Sequence, residues 1–589
     1  MAEDTGVRAP TSRDPPPRDQ FGIRRGNHRP GRRSSGDLAP GARDRHRRRS
    51  RRPVAPVDRT LRGTVRVIPG SPDRARIPGE RTMSEKYAVG VDVGGSSTKS
   101  AIYRLDGRVV GAGVHHYQPR QPSTGVAEYD ADELLRAVDS SIAQAVRAAT
   151  IDPAKVVAVT ADSMISGTVG LAEDSSPTTA YTTTLDTRFN SVLEDMLGAH
   201  EPRIRELVGS GTPVIAAKVA WYRDTDPRAF DRTRVFVTAG GLVGRHLAGL
   251  AAAECFIDPT VLWAVGLSDT RSSSWSKELT TKLGVPASLL PRIVPSTTVV
   301  GGLSDQVAQA TGLRAGTPVV AGCGDQMAGF LGAGILREHR LGDSAGTYVV
   351  VGRRVPSFEP DPAGRFDVVP SALGDGFTQQ AVVAMGGGFT KQWFDDRIGG
   401  GTASLEAAAA QVGIGSDGAI FVPHFGGQST PSRPWVRGAW LGLEWGHGKP
   451  HLARSVMEAM AFEIAIAAQS MGALTDATTE IVGYGGGARS AVASQIKADV
   501  TGLNYSSLGD IAPASLAAAM IGAIATGDLD GLDDVTAATA PVRQTFTPRS
   551  GHTDTYRRYL ADYRDAVELA ASFRRIERTP ANPTEGSRL

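Results

Sequence analysis

The feature that most constrains this chain is a local pattern that occurs twice. Residues Tyr87 to Val93 form a short apolar run, Gly94, Gly95, Ser96, Ser97 and Thr98 follow, and a second run spans Ser100 to Leu105. Such runs around glycine and small hydroxyl residues predict a strand, a tight turn and a strand. The pattern recurs as Leu341-Gly342-Asp343-Ser344-Ala345-Gly346-Thr347, followed by Tyr348 to Val351. This predicts two related halves. Helical periodicity marks Asp132 to Ala148, His451 to Ala467, Ala491 to Val500 and Thr553 to Arg575, while Val156 to Thr160 and Glu480 to Tyr484 read as strands. That alternation is expected of α/β layers. With 589 residues, 40% of them hydrophobic, the chain can bury a core in each of two or more domains.

Residues 1–82 carry no such period. They hold 21 Arg, no Lys and 9 acidic residues, which leaves 44 basic against 53 acidic residues in the rest of the chain. A segment rich in Arg, Pro and Gly with few aromatics cannot bury enough apolar surface to offset the entropy of ordering, so a disordered extension is expected. Its cluster Arg47, Arg48, Arg49, Arg51 and Arg52 has the charge to meet nucleic acid or to mimic a targeting peptide, but no apolar core of a secretory signal accompanies it. The ordered pattern begins abruptly at Met83-Ser84-Glu85-Lys86-Tyr87, and translation is expected to start there. The body is then mildly acidic, and nucleic acid is not an expected partner. Cys255 and Cys323 have no disulfide or zinc spacing, which suits a reducing cytoplasm. Leu516 to Ile524, the most apolar stretch, is far shorter than the roughly 20 residues of a membrane span, so no membrane partner is expected.

Three motifs can carry chemistry. A turn of glycine and small hydroxyl residues lets backbone N–H groups approach phosphate oxygens, and a nearby carboxylate such as Asp92 can hold the accompanying cation. Taken alone, the same turn reads as an ordinary hairpin. Gly322-Cys323-Gly324-Asp325-Gln326 puts a carboxylate at a Gly-rich strand end, where it either faces a ligand or caps the helix that begins near Gln326. Gly485-Gly486-Gly487 before a helix either admits a nucleotide or is a plain strand-to-helix turn. No Walker-type loop competes, because Gly448-Lys449 is followed by Pro450.

The order of these motifs resembles that of the FGGY carbohydrate kinases over nearly all of residues 86–570. Gly312-Leu313 with Gly316-Thr317-Pro318 is similar to the family segment before its catalytic Asp. Pro423 to Pro431 with Arg437-Gly438, Gly442-Leu443, His451, Arg454 and Glu458 resembles the long family signature of the second domain. Gly485 to Ser490 with Gln495, Ala498, Asp499 and Gly502 resembles its adenosine segment. The resemblance implies two ribonuclease-H-like domains of the actin and hexokinase type with a cleft between them: residues 83–335 with the acceptor and the catalytic base, residues 336–575 with the nucleotide, and a tail at 576–589. It implies ATP and Mg2+, with Asp325 as base and Asp92 on the metal. Gly94, Gly95, Ser96, Ser97, Thr98 and Lys99 would form the first phosphate loop, Gly346 and Thr347 the second, and Gly486, Gly487 and Ala488 would face the nucleotide. Oligomeric state stays open, a homodimer included.

Departures from the family pattern fall on the acceptor side. The strand-end loop Asp162-Ser163-Met164-Ile165-Ser166-Gly167 lacks the family His and has Ser166 in its place, Thr184-Leu185-Asp186-Thr187-Arg188 lacks an aromatic, and Gly427-Gln428-Ser429 replaces Gly-Glu-Arg. Ser166, Asp186, Arg188 and Gln326 are therefore the expected acceptor contacts. The Asp-Gln pair resembles glycerol kinases, so a neutral ketose or polyol of about three to five carbons is favoured. Arg188 keeps a gluconate-type acid open as the alternative. A non-catalytic ATP-binding regulator of the same superfold is the competing class.

Overall fold

The computed structural model describes residues 85–573 apart from 336, 338, 347, 385–386, 400–401, 475–477, 510–511 and 532–541. The expected extension and tail lie outside the described residues. The first half is built on β1 (Tyr87–Val93), β2 (Ser97–Arg104), β3 (Val109–His116), β4 (Val156–Ser163), β5 (Val299–Gly302) and β6 (Pro318–Gly324). Their order is β5-β6-β4-β1-β2-β3. Hairpin pairing joins β1, β2 and β3, and parallel pairing joins β1, β4 and β6. The second half repeats the scheme with β7 (Arg340–Ala345), β8 (Val349–Val355), β9 (Asp367–Pro370), β10 (Phe377–Ala384), β11 (Glu480–Tyr484), β12 (Asn504–Leu508) and β13 (Val542–Phe546), in the order β9-β10-β8-β7-β11-β12-β13. The two sheets thus share a ribonuclease-H-like core, an antiparallel hairpin set continued by two parallel strands.

Each predicted helix forms with its bounds moved by a few residues. The first, α1 (Ala131–Ala148), is capped by Asp130, which accepts the N–H groups of Asp132 and Glu133. Through Val138 and Ile142 it covers one face of the first sheet over Val89, Val91 and Ile102. The chain then leaves the sheet through α2 (Asp325–Gly332), and the second half supplies α3 (Lys449–Ser470), α4 (Ala491–Thr501), α5 (Pro513–Ala525) and α6 (His552–Ser572). By sequence α5 belongs to the second half, yet it packs on the opposite face of the first sheet. Leu516, Ala519 and Met520 meet Ala88, Ala158, Val320 and Met327 there. The approach is so close that a Cβ on Gly90 would lie 1.8 Å from the Ser515 carbonyl oxygen. Glycine is required at that crossing. Among the described residues, no helix is long and apolar enough to cross a membrane.

Candidate active site

The carboxyl ends of β1, β4 and β6 lie side by side. Asp92 of β1 is in register with Asp162 of β4, and Asp162 is in register with Cys323 of β6. The β6 register shifts between Val320 and Cys323, at Gly322, whose φ is +74° and whose Cβ would lie 1.8 Å from the Ala161 carbonyl oxygen. Glycine alone tolerates that bulge, which re-aims the strand end. The Gly324 N–H donates to Thr260 Oγ1 at 2.8 Å, and Asp325 opens α2 and accepts the Gln326 N–H at 2.7 Å. Asp325 thus stands just past the strand end as the first residue of α2, whose N-cap position is held by Gly324.

Burial raises the pKa of all three strand-end carboxyls, and the charge of Asp92 adds to the rise at Asp162 and Asp325. Burial, then the nearby Asp92 charge, pushes Asp325 up to about 7. Burial also raises Asp92, opposed by Lys99, whose Nζ lies 3.6 Å from Asp92 Oδ2. Asp162 is fully buried and neither of its carboxyl oxygens has a hydrogen-bond partner. Burial and the charges of Asp92 and Asp325 hold its pKa well above the ordinary value. Asp162 entered the sequence reading merely as part of a loop that lacks a His. Its signal was a carboxylate ending the apolar run Val156-Val157-Ala158-Val159-Thr160-Ala161.

The first hairpin turn is closed by Gly94 N–H donating to the Ser97 carbonyl at 3.1 Å. Gly95, Ser96 and Lys99 are exposed, whereas the Ser97 and Thr98 side chains are buried, Thr98 against the Tyr117 hydroxyl. Tyr117 donates to the Gly94 carbonyl at 2.5 Å and Tyr129 to the Gly95 carbonyl. These tyrosines, which the sequence did not single out, engage the loop carbonyls of Gly94 and Gly95 with their hydroxyls. In the second half, Gly346 follows β7, and Gly487 sits so close to the strand end that its Cβ would be 3.0 Å from that of Ala345. Gly486 borders open space, Ala488 is buried, and Thr347 lies outside the described residues. Tyr484, at the end of β11, accepts from Gln326 Nε2 at 3.4 Å. The strand that leads into Gly485–Gly487 and the residue after Asp325 therefore touch.

Of the expected acceptor contacts, Ser166 is half-buried just beyond β4. Asp186 and Arg188 are already engaged: Asp186 accepts the Ala127 N–H at 3.1 Å and both Nε and Nη2 of Arg188. Arg188 also donates to Glu128 and stacks 4.6 Å over the Trp221 ring. An aromatic from the helix Val214–Thr225 thus packs on Arg188.

The sequence matches the model of the N-terminal domain of the FGGY family of carbohydrate kinases over residues 87–332, and that of its C-terminal domain over residues 374–526. It is 24% identical over 489 residues to a xylulose kinase of Bacillus subtilis, covering 82% of this chain and 96% of that protein. It is 26% identical over 507 residues to an autoinducer-2 kinase of Klebsiella pneumoniae, covering 81% and 93%. The fold superposes on a crystal structure of gluconate kinase from Lactobacillus acidophilus with a TM-score of 0.77 at 22% identity, covering 83% of this chain and 99% of that one. Two matched domain models, laid over two halves whose strand ends converge on carboxylates and glycine loops, carry one conclusion: the chain belongs to the FGGY family of carbohydrate kinases and is a phosphotransferase acting on a carbohydrate hydroxyl.

Proposed function

We propose that the chain transfers the terminal phosphoryl group of ATP to a hydroxyl of a neutral ketose or polyol of about three to five carbons, with Asp325 as general base. The observation that carries this reading is the Asp325 carboxyl, held at the start of α2 with its pKa pushed up to about 7, where a base both accepts and releases a proton at working pH. Phosphoryl transfer asks little covalent work of the protein and depends on positioning and charge. Gly94 to Thr98 with Lys99 and Gly346 with Thr347 are the proposed phosphate loops, and Gly486, Gly487 and Ala488 the proposed nucleotide contacts.

Magnesium suits the residues present. Asp92 is 19% exposed at the strand end beside the first loop, with the unpartnered Asp162 in register on the neighbouring strand. Among the described residues, no three His, Cys, Asp or Glu side chains gather closely enough to hold a metal by themselves. The proposed cation is one held by one or two carboxylates, water and substrate phosphates. Asp92 would hold it directly or through water, and the bound cation would neutralise phosphate charge. The proposed setting is the cytoplasm, where the free Cys255 and Cys323 thiols stay reduced.

A neutral acceptor is favoured because the Arg188 fork, the natural partner of an aldonate carboxylate, is occupied by Asp186 and Glu128. Gln326 and Ser166 offer an amide and a hydroxyl instead, which suit a row of substrate hydroxyls. A coupled ADP-release assay over ketoses, polyols and aldonates tests the proposal. An aldonate with at least roughly tenfold higher kcat/KM than every neutral acceptor would overturn the acceptor class and leave the kinase activity standing.

A further inference from the structure

Lys218 lies in the helix Val214–Thr225 among the buried Ile215, Ala216, Ala217, Val219 and Ala220, and is itself fully buried. Burying a lysine is costly unless its head finds partners. Here Nζ donates to the Ser166 carbonyl at 2.6 Å and to the Thr183 carbonyl at 2.8 Å, 5.0 Å from the centre of the Phe189 ring. The two acceptors belong to the strand-end loop after β4 and to the segment that carries Asp186 and Arg188. These segments are joined by backbone hydrogen bonds at Thr168 and Thr182, and then part. Lys218 fills the gap at the point of parting. One turn further along the same helix, Trp221 supports Arg188.

We propose that Lys218 is a positioning residue for the carbohydrate acceptor, fixing the Ser166 loop and the Thr183–Arg188 segment at the spacing the acceptor requires. The proposal rests on the reading that these segments face the acceptor. Burial pulls the Lys218 pKa down to about 7, opposed by Asp186. A neutral amine still carries two N–H donors, enough for both carbonyls, so the link survives loss of the proton. Among the described residues, none of these contacts of Lys218 reaches the glycine loops of the second half, so nucleotide affinity is expected to be independent of it.

The test compares Lys218→Met, which keeps the stem and removes both donors, with the unaltered full chain, using ATP and D-xylulose, glycerol and D-gluconate as acceptors. Displacement of a binding segment by about an ångström costs one to two powers of ten. The acceptor KM is therefore expected to rise about tenfold or more, with the ATP KM within about twofold and kcat changed less than the acceptor KM. Parallel rises in both KM values, or an acceptor KM within about twofold of the unaltered chain, would overturn the proposal. Should Lys218→Met fail to fold, Lys218→Gln, whose shorter amide cannot span both carbonyls, decides on the same criteria. Ser166→Ala separates the two layers of the argument. An acceptor KM that moves in Ser166→Ala but not in the Lys218 variants refutes the role of Lys218 alone, whereas no movement in either refutes the acceptor assignment with it.

Discussion

The two hairpins of this molecule share a pattern and put its aspartate to opposite uses. In the first, the Asp92 side chain is partly exposed beside the glycine turn, and its nearest cation, Lys99, is 58% exposed. In the second, Asp343 is fully buried, receives Lys497 Nζ at 2.5 Å from α4, and accepts the Tyr505 hydroxyl at 2.7 Å. A solvated lysine screens a carboxylate weakly, whereas a buried one neutralises it. The lesson is that a strand-end aspartate before a glycine turn is open to an external cation or closed to it according to the helix packed behind it. That distinction does not reside in the hairpin sequence.

The largest effect is expected where the first half holds a carboxylate with no counterpart in the second. Asp325→Asn should keep ATP affinity and lose roughly 10² to 10⁴ in kcat, and unchanged turnover would remove Asp325 from the base role. Next, the paired aspartates should fail differently. Asp343→Ala strands Lys497 and should cost about 3–5 kcal/mol in denaturant unfolding, with magnesium dependence intact. Asp92→Ala should leave stability nearly unchanged while the magnesium concentration needed for half-maximal rate rises roughly tenfold. The reverse assignment of these two phenotypes would break the comparison.

A pH series sharpens it further, because the raised pKa of Asp325 has two consequences of opposite sign. Deprotonation is needed for the base, so kcat/KM should fall about tenfold per pH unit below about 7. The folded state holds a proton that the unfolded chain releases near 3.8, so the contribution of Asp325 to stability is present below that pH and is lost as pH rises through about 7. The metal-free protein should therefore lose melting temperature across that window, and Asp325→Asn should flatten the curve. The smallest effect is expected for Lys99→Met, about 0–1 kcal/mol, since the pair it breaks is solvent-screened. A loss as large as that of Asp343→Ala would equate the two lysines.

Much of this was legible in the sequence because hairpins, Gly-rich strand ends and amphipathic helices are local signals. Tyr87 to Val93 and Glu480 to Tyr484 are strands with the bounds read from the chain, and the glycine motifs lie at the carboxyl ends of the central strands. What escaped were partnerships across long separations. Lys218 meets carbonyls 52 and 35 residues away, and Tyr129 reaches Gly95 from 34 residues on. No periodicity reports such contacts. Two signals were present even so: a lone lysine inside Val214-Ile215-Ala216-Ala217-Lys218-Val219-Ala220-Trp221, and Asp162 closing an apolar run. A charged residue embedded in an apolar segment must find partners, although the segment alone does not name them.

The crossing of α5 onto the first sheet bears on how the chain is made as well as how it stands. While the ribosome extends the chain from Gly332 to Pro513, the surface that Leu516 and Met520 will cover has no partner, and Ala88, Ala158, Val320 and Met327 stay open to water. At synthesis rates of about 5–20 residues per second, that interval is roughly ten to forty seconds. The amino-terminal half is thus the first to be translated and cannot be the first to finish folding. A chain halted at Ala512 should display an apolar face that a chain halted after Ala525 conceals, so chaperone demand should be greatest over that interval of translation.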